Sequence, residues 1–100
     1  MKQPAVYILT NKPNGTLYIG VTADLAKRIW IHRYGGEASF VTKYGLRRLV
    51  YVEQYANMAT AIVREKRLKR WKRAWKIRLI EEQNPEWQEL LPDTESSEKF

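Results

Sequence analysis

Hydrophobic and polar positions divide the chain into three short strand-like runs and two helical patterns. Residues 5–10, 16–21 and 49–55 are rich in β-branched and aromatic side chains, which favours β-strands. Residues 11–15 read Asn-Lys-Pro-Asn-Gly, and this cluster predicts a turn because proline presets one φ angle and Asn-Gly tolerates positive φ. The first two runs therefore form a predicted hairpin.

The first helical pattern follows this hairpin. Thr22 is predicted to cap a helix over about 23–34, with Asp24 in the first turn, where a carboxylate interacts favourably with the helix dipole. The glycine pair at 35–36 predicts its end, and residues 39–44 predict a short helical turn.

The second helical pattern is longer, beginning at Asn57 or Thr60 and continuing to about residue 83. Its apolar residues recur at helical spacing: Met58, Ala61, Ile62, Leu68, Trp71, Trp75 and Leu79. Asn84-Pro85 predicts its end, because the residue before a proline disfavours helical geometry. The order β-β-α-β-α predicts an α+β fold, a small three-stranded antiparallel sheet flanked by helices.

The charge along the chain is strongly asymmetric. The net charge is +7, from 18 Lys and Arg residues against 11 Asp and Glu residues. Residues 81–100 contain seven acidic residues and one lysine, whereas nine of the basic residues lie between Arg64 and Arg78. A domain this positive attracts polyanions, of which nucleic acid is the commonest in a cytoplasm. An anionic membrane surface and an acidic protein partner are the alternatives.

Composition excludes several classes of protein. The chain has 100 residues, which predicts one domain over 1–91 and an acidic, flexible tail over 92–100. It has no cysteine and one histidine, which excludes a disulfide scaffold and a zinc finger.

The longest uncharged stretch, 13–23, is shorter than the ~20 residues that span a bilayer. The N-terminus lacks the apolar core of a signal peptide, so we expect a cytoplasmic protein without membrane contact.

Glu65 is the most informative acidic residue, because it falls inside the apolar stripe of the second helical pattern. An unpaired carboxylate there is costly. One interpretation is an ion pair with Lys69, four residues further along the helix. The other is a divalent cation, which takes carboxylate oxygens together with phosphate and water. The helix alone favours the ion pair.

Four other side chains are candidates for a site. Arg28 and His32 lie four residues apart on the first helical pattern and could together address a phosphate; a solvated helix edge is the alternative. Tyr7 and Tyr18 share one face of the sheet if the hairpin pairs residues with an odd sum.

Aromatic and basic side chains alternate in the second helical pattern. The spacing of Trp71 and Trp75 favours burial in the core, and stacking on nucleobases is the alternative. The basic side chains that we expect to contact nucleic acid are Lys27, Arg28, Lys69, Arg70 and Arg73.

Taken in order, these motifs resemble the GIY-YIG nuclease superfamily, and more closely its small, single-domain bacterial branch of URI-type endonucleases. Residues 5–7, Ala-Val-Tyr, stand where a Gly-Ile-Tyr motif is expected, and residues 18–20, Tyr-Ile-Gly, are the second motif. The segment 22–32 is similar to the first helix of the family, and 61–71 to its metal-binding helix. Residues 84–87, Asn-Pro-Glu-Trp, are similar to a further motif of this branch.

The resemblance implies a metal-dependent endonuclease that hydrolyses DNA phosphodiester bonds in repair or recombination, with possible selectivity for DNA structure. It implies that Tyr7 and Tyr18 line the site and that one phenol orients or deprotonates the attacking water. Tyr18 is the first choice, because its motif is intact. The sequence does not distinguish DNA from RNA as the substrate.

The resemblance also implies roles for the other candidates. Arg28 would stabilise charge on the scissile phosphate, and His32 would assist proton transfer or contact the phosphate. Glu65 would bind one Mg²⁺ or Mn²⁺ ion. Asn84 would brace the site by hydrogen bonding.

Two positions depart from the family pattern. Ala5 replaces the first glycine, and Val21 stands where many members have a lysine that could lower the pKa of a tyrosine. We also expect no second domain, which implies weak cutting or a protein partner for targeting, and we expect a monomer. The alternative function is a catalytically weak nucleic-acid-binding module that keeps the nuclease fold. A third interpretation is an interaction protein whose basic helix binds an acidic partner.

Overall fold

The computed structural model describes residues 3–35 and 40–91, so the predicted tail at 92–100 and Gly36 lie outside the described residues. In chain order the elements are β1 Ala5–Thr10, β2 Leu17–Thr22, α1 Leu25–Tyr34, α2 Phe40–Lys43, β3 Arg48–Gln54, α3 Met58–Arg70 and α4 Arg73–Gln83. The predicted α+β class and three-stranded antiparallel sheet are confirmed. Within this part of the chain, every helix is too short or too polar to span a bilayer.

The strand β1 lies in the centre of the sheet, with β2 on one side and β3 on the other, and both pairings are antiparallel. The register pairs Tyr7 with Gly20 and Leu9 with Tyr18. Directly paired residues share a face of the sheet, and so do residues two apart on one strand. Tyr7 and Tyr18 therefore lie on the same face, as an odd residue sum predicts.

Side chains of β1 alternate between two hydrophobic clusters, and all six of its residues are buried. Val6 and Ile8 pack in one cluster with side chains of α3 and α4. Tyr7 and Leu9 pack in the other with side chains of α1, α2 and β3. The sheet is therefore the middle layer, and the two tyrosines lie on the face that α1 covers.

The prediction of a single long helix after β3 is wrong, because the structure has two helices there, separated at Trp71 and Lys72. Both residues have extended backbone, with ψ of 150°. The carbonyl of Lys69 accepts a hydrogen bond from the Lys76 ammonium at 3.3 Å, in place of the helical N–H that a continuous helix would supply. The Arg73 guanidinium donates to two carbonyls of the β1–β2 turn. Tertiary contacts therefore stabilise a break that no glycine or proline marks.

Two further details differ from the prediction. The N-cap of α1 is Asp24, not Thr22: the Asp24 carboxylate accepts from the backbone N–H of Lys27, whereas the Thr22 hydroxyl bonds to the backbone of Asp24. Trp75, predicted to lie in the core, is 49% exposed. The break before α4 removes it from the apolar stripe of α3, so its helical spacing no longer leads to burial.

Residues 84–91 fold back onto β3. The Asn84 amide donates to the carbonyls of Val50 at 3.0 Å and Gln88 at 2.9 Å, and its Oδ1 accepts from the N–H of Gln88 at 2.9 Å. The Trp87 side chain is buried among residues of α3 and α4 and donates its indole N–H to Glu81 at 2.8 Å. This segment therefore completes the hydrophobic core on the side of the sheet that α3 and α4 cover.

Arg33 links the end of α1 to the same segment. Its Nη2 lies 2.7 Å from Oε2 of Glu89, in an ion pair between a buried guanidinium and a partly exposed carboxylate. It also donates to the carbonyls of Arg47 at 3.1 Å and Leu91 at 2.6 Å. The Glu89 carboxylate accepts the backbone N–H of Leu49 on β3. The C-terminal end of α1 is therefore anchored to β3 and to the end of the fold.

We expect Asn84→Ala to lower the free energy of unfolding by about 2–4 kcal/mol, because it removes three hydrogen bonds and leaves the buried carbonyl of Val50 without this donor. Urea denaturation measures the change. The matched control is Gln88→Ala, which truncates an exposed side chain of the same segment and should change stability by no more than about 0.5 kcal/mol. Equal, small effects of both substitutions would contradict this role of Asn84.

Candidate active site

Tyr7 and Tyr18 come from the adjacent strands β1 and β2. Their ring centroids lie 6.3 Å apart, with the ring planes tilted by 45°. Tyr7 is fully buried and Tyr18 is half-buried. Of the two tyrosines, Tyr18 is therefore the more accessible to solvent.

Gly20 allows the ring of Tyr7 to occupy its position. It faces Tyr7 across the β1–β2 pairing. A Cβ atom built on Gly20 would lie 2.4 Å from both Cζ and Oη of Tyr7. The phenol therefore crosses β2 directly over the glycine backbone. Sequence reasoning treated Gly20 only as part of a motif, because its contact with Tyr7 depends on a strand register that one sequence does not specify.

Helix α1 brings Arg28 and His32 to the phenols. The Nε2 atom of His32 lies 3.1 Å from Oη of Tyr7. Its ring centroid is 6.0 Å from that of Tyr7 and 5.9 Å from that of Tyr18. The three rings therefore form a triangle, and the pair of α1 residues predicted from their four-residue spacing does face the two tyrosines.

The hydrogen bond between Tyr7 and His32 can run in either direction, because a phenol and an imidazole can each donate and accept. Arg28 acts on the phenol as a donor and as a positive charge, and both effects lower the pKa of Tyr7. The phenol donates to Nε2 of His32 when the imidazole is neutral and carries its proton on Nδ1.

The pKa shifts agree with this assignment. Burial raises the pKa of Tyr7 to about 12, the charges of Tyr18 and Glu65 act in the same direction, and Arg28 opposes them. Burial, followed by the positive charge of Arg28, lowers the pKa of His32 below its usual 6.5. At neutral pH the phenol therefore keeps its proton and the imidazole is neutral, so His32 can accept a proton.

Glu65 approaches the phenols from α3. It is 8% exposed, and its Oε2 lies 2.6 Å from the Lys69 ammonium one turn further along the helix. The ion pair predicted from the spacing is therefore present. The carboxylate is also close enough to Tyr7 to contribute to the raised pKa of the phenol. The charge of Glu65 therefore reaches Tyr7, although the direct partner of its carboxylate is Lys69.

The donor set around Glu65 suits one kind of cation. Within residues 3–35 and 40–91, no three His, Asp or Glu side chains lie together as a metal-binding group. Mg²⁺ is commonly held by one or two carboxylates and takes its remaining ligands from substrate phosphate and water. Glu65 fits a divalent cation of this type, which arrives with a phosphate.

Asn84 lies apart from the other candidates. Its side chain bonds to Val50 of β3, the strand at the opposite edge of the sheet from β2, and to Gln88. The predicted bracing by hydrogen bonds is therefore directed at β3 and the C-terminal segment. A contribution of Asn84 to the chemistry stays a prediction.

The basic candidates differ in their surroundings. Lys27 on α1 and Arg70 on α3 are exposed. Lys69 is paired with Glu65, and Arg73 donates to the carbonyls of the β1–β2 turn at 2.7 and 2.6 Å. Lys27 and Arg70 therefore extend into solvent, whereas Lys69 and Arg73 also have structural partners.

Comparison with known proteins identifies similar chains. A protein-family model described as the GIY-YIG catalytic domain matches residues 3–78. A UPF0213 protein of Oceanobacillus iheyensis is 34% identical over 85 residues, which cover 85% of this chain and 98% of the relative. A UPF0213 protein of Clostridium perfringens is 40% identical over 75 residues, which cover 75% of this chain and 80% of the relative.

A solved structure is also similar. The solution NMR structure of a UPF0213 protein from Bacillus halodurans matches with a TM-score of 0.52 and 26% sequence identity. The match covers 98% of this chain and 96% of that chain. The arrangement of strands and helices is therefore shared with a relative of nearly equal extent.

The chain contains one histidine, so the imidazole signals in an NMR titration report His32 alone. We expect His32 to titrate below pH 6.5, because burial and Arg28 disfavour its charged form. Arg28→Gln should raise the pKa, since it removes a positive charge beside the ring. Lys27→Gln removes the same charge from an exposed neighbour and should leave the pKa of His32 unchanged. Equal shifts in the two variants would contradict the proximity of Arg28 to His32.

Proposed function

The chain belongs to the GIY-YIG nuclease family, in the UPF0213 branch of small bacterial proteins, and from this premise we propose that it is an endonuclease that hydrolyses DNA phosphodiester bonds with one divalent cation. The name UPF0213 states no activity. The activity of this chain is therefore argued from its own side chains.

One observation carries the proposal: the hydrogen bond of 3.1 Å between Oη of Tyr7 and Nε2 of His32. When the neutral imidazole carries its proton on Nδ1, the buried phenol donates to Nε2, and the two groups form a two-member proton path. Arg28 and Glu65 act on the same phenol, so a cation for the phosphate and a carboxylate for a metal ion converge on this path. This combination suits phosphodiester hydrolysis.

The proton path supports activation of water without a free phenolate. A pKa of about 12 makes Tyr7 a poor source of phenolate at neutral pH. The Tyr7 side chain is buried in the free protein, so the bound substrate would have to bring the attacking water to its oxygen. That water could then pass a proton to Tyr7 as the phenol passes its own proton to His32. We therefore propose Tyr7, with His32 as the final acceptor, as the base. Tyr18, the first choice from the motif, would orient the water or the phosphate.

Arg28 and Glu65 would stabilise the negative charge that develops on the phosphate and on the leaving oxygen. Arg28 would bind a non-bridging oxygen of the scissile phosphate, where its planar fork matches two phosphate oxygens. GIY-YIG nucleases typically use divalent metal ions, and here Glu65 would hold one Mg²⁺ or Mn²⁺ ion. When bound, the ion supplies Lewis acidity and stabilises charge on the leaving oxygen. Lys69 would keep the carboxylate in place through their ion pair.

The family also implies nucleic-acid binding, and we propose DNA as the substrate. The proposed phosphate contacts are Lys27, Arg28, Lys69, Arg70 and Arg73. We further propose a cytoplasmic monomer that acts in DNA repair or recombination and that a protein partner targets. These finer assignments follow from the basic charge of the chain and from the resemblance.

We expect Glu65→Gln and Arg28→Gln each to slow DNA cleavage at least about 10²-fold, because each removes charge stabilisation from the transition state. Nicking of supercoiled plasmid and of a branched DNA measures the rate, with Mg²⁺, with Mn²⁺ and with EDTA. Glu86→Gln makes the same chemical change at an exposed glutamate outside the site and should cleave like the wild type.

Lys69→Gln separates the two interpretations of Glu65. If Glu65 binds the metal ion, Lys69→Gln should bind DNA more weakly but retain metal-dependent cleavage at saturating DNA, whereas Glu65→Gln should lose cleavage. Cleavage that survives both Glu65→Gln and Arg28→Gln would refute the nuclease assignment at this site. A wild type that binds DNA with a steep salt dependence and cuts nothing with either ion would instead support the binding-module alternative.

The cleavage rate should fall at acidic pH, because a proton acceptor works only in its neutral form. The pKa of His32 is lowered from 6.5, so activity should be complete at neutral pH and decline only as the pH falls through a value below 6.5. His32→Ala should lower the rate about 10²–10⁴-fold and remove this acid limb. Cleavage rates at DNA concentrations well below saturation, between about pH 5 and 8, measure both, because such rates report the pKa of the free protein and 6.5 is the ordinary pKa of histidine. An unchanged acid limb in His32→Ala would contradict the role of His32.

A further inference from the structure

Helix α4 carries an aromatic groove that the proposed chemistry does not use. Trp75 is 49% exposed, and its ring meets Trp71 edge-on, with centroids 6.0 Å apart. These two rings line a groove of about 240 Å³ together with Arg78, Leu79 and Glu82. A half-exposed indole gives up part of the stabilisation that burial would supply.

Cations surround both rings. The Lys72 ammonium lies over the Trp75 ring, 5.8 Å from its centroid, and the Arg64 guanidinium lies 5.1 Å from the centroid of Trp71. Between residues 64 and 78 the chain has nine basic residues and one acidic residue, Glu65. The rings therefore sit within the most positive segment of the chain, where a polyanion is the complementary partner.

We propose that this groove binds an unpaired nucleobase of the DNA substrate, stacked on Trp75, while Lys72 and Arg78 contact the flanking phosphates. The proposal rests on the proposed nuclease function and names the substrate class: DNA that carries unpaired nucleotides, such as a single-stranded arm or a gap.

The size and chemistry of the groove support a single base. Its volume of about 240 Å³ is below the roughly 300–1,000 Å³ of small-molecule sites, so it suits one planar ring. Glu82 can accept a hydrogen bond from an exocyclic amino group of the base. A base inside a duplex is stacked on both faces and cannot offer one to an indole, so the base in the groove must be unpaired.

Binding without cleavage tests the proposal. Fluorescence anisotropy in EDTA would compare a labelled duplex that carries a single-stranded arm with the same duplex blunt-ended. Trp75→Ala should weaken binding to the armed DNA about 5- to 150-fold, the value of one stacked base, and leave the blunt duplex unaffected. Trp75→Phe should retain most of the affinity, because phenylalanine also stacks. The control Trp30→Ala removes an indole from α1 that is 41% exposed and should change neither affinity.

An arm of abasic nucleotides provides the second measurement, because it keeps the phosphates and removes the bases. It should bind the wild type as weakly as the normal arm binds Trp75→Ala, and Trp75→Ala should have no further effect on it. Equal losses on armed and blunt DNA, or no loss on either, would overturn the proposal. Thermal unfolding by circular dichroism verifies that each variant is folded.

The two proposals fail separately. A wild type that cleaves DNA while Trp75→Ala binds the armed DNA normally would overturn the groove and leave the nuclease function standing. A wild type that binds armed DNA through Trp75 in EDTA but never cleaves with Mg²⁺ or Mn²⁺ would support the groove and overturn the nuclease function.

Discussion

The burial of β1 on both faces is the constraint on which the rest of the structure depends. In the free protein, a polar group on such a strand needs a partner inside the protein, because both faces of the strand are covered. The Tyr7 hydroxyl reaches His32 and Arg28 of α1 only because Gly20 leaves space for its ring. One residue on β2 thus determines where a phenol of β1 points, and the hydroxyl then requires α1 to present an acceptor there. The positions of Tyr7, Arg28 and His32 are therefore determined by the packing of the core around β1.

Each helix of the site is anchored by a charged residue next to the side chain that it presents. Arg33 follows His32, and its buried guanidinium is held in an ion pair with Glu89. Arg64 precedes Glu65 and donates two hydrogen bonds of 2.9 Å to Glu53 on β3. Neighbouring residues on a helix point in directions about 100° apart, so fixing one side chain also fixes the direction of the next. These ion pairs hold His32 and Glu65 at defined positions before any substrate binds, which is the preorganisation that catalysis requires.

Short-range sequence patterns predicted more of the fold than of the candidate site. Turn residues and alternating apolar runs predicted the strands, and helical spacing predicted the ion pair of Glu65. The break at Trp71 was not predictable, because contacts between distant residues stabilise it and no helix breaker marks it. Burial of Trp75 was predicted wrongly for the same reason. The hydrogen bond from Tyr7 to His32 joins residues 25 positions apart, so it depends on strand register and helix placement together, neither of which periodicity specifies.

Arg28 has opposite effects on the two ends of the proton path. Its positive charge lowers the pKa of Tyr7, which favours release of the phenolic proton, and also lowers the pKa of His32, which disfavours its acceptance. In the proposed mechanism a phosphate bound to Arg28 would offset that positive charge. The imidazole would then become more basic when a substrate is present, so the proton path would be activated by the phosphate that it is to cleave. In the free protein, burial together with this charge keeps His32 neutral, as the proposed role of proton acceptor requires.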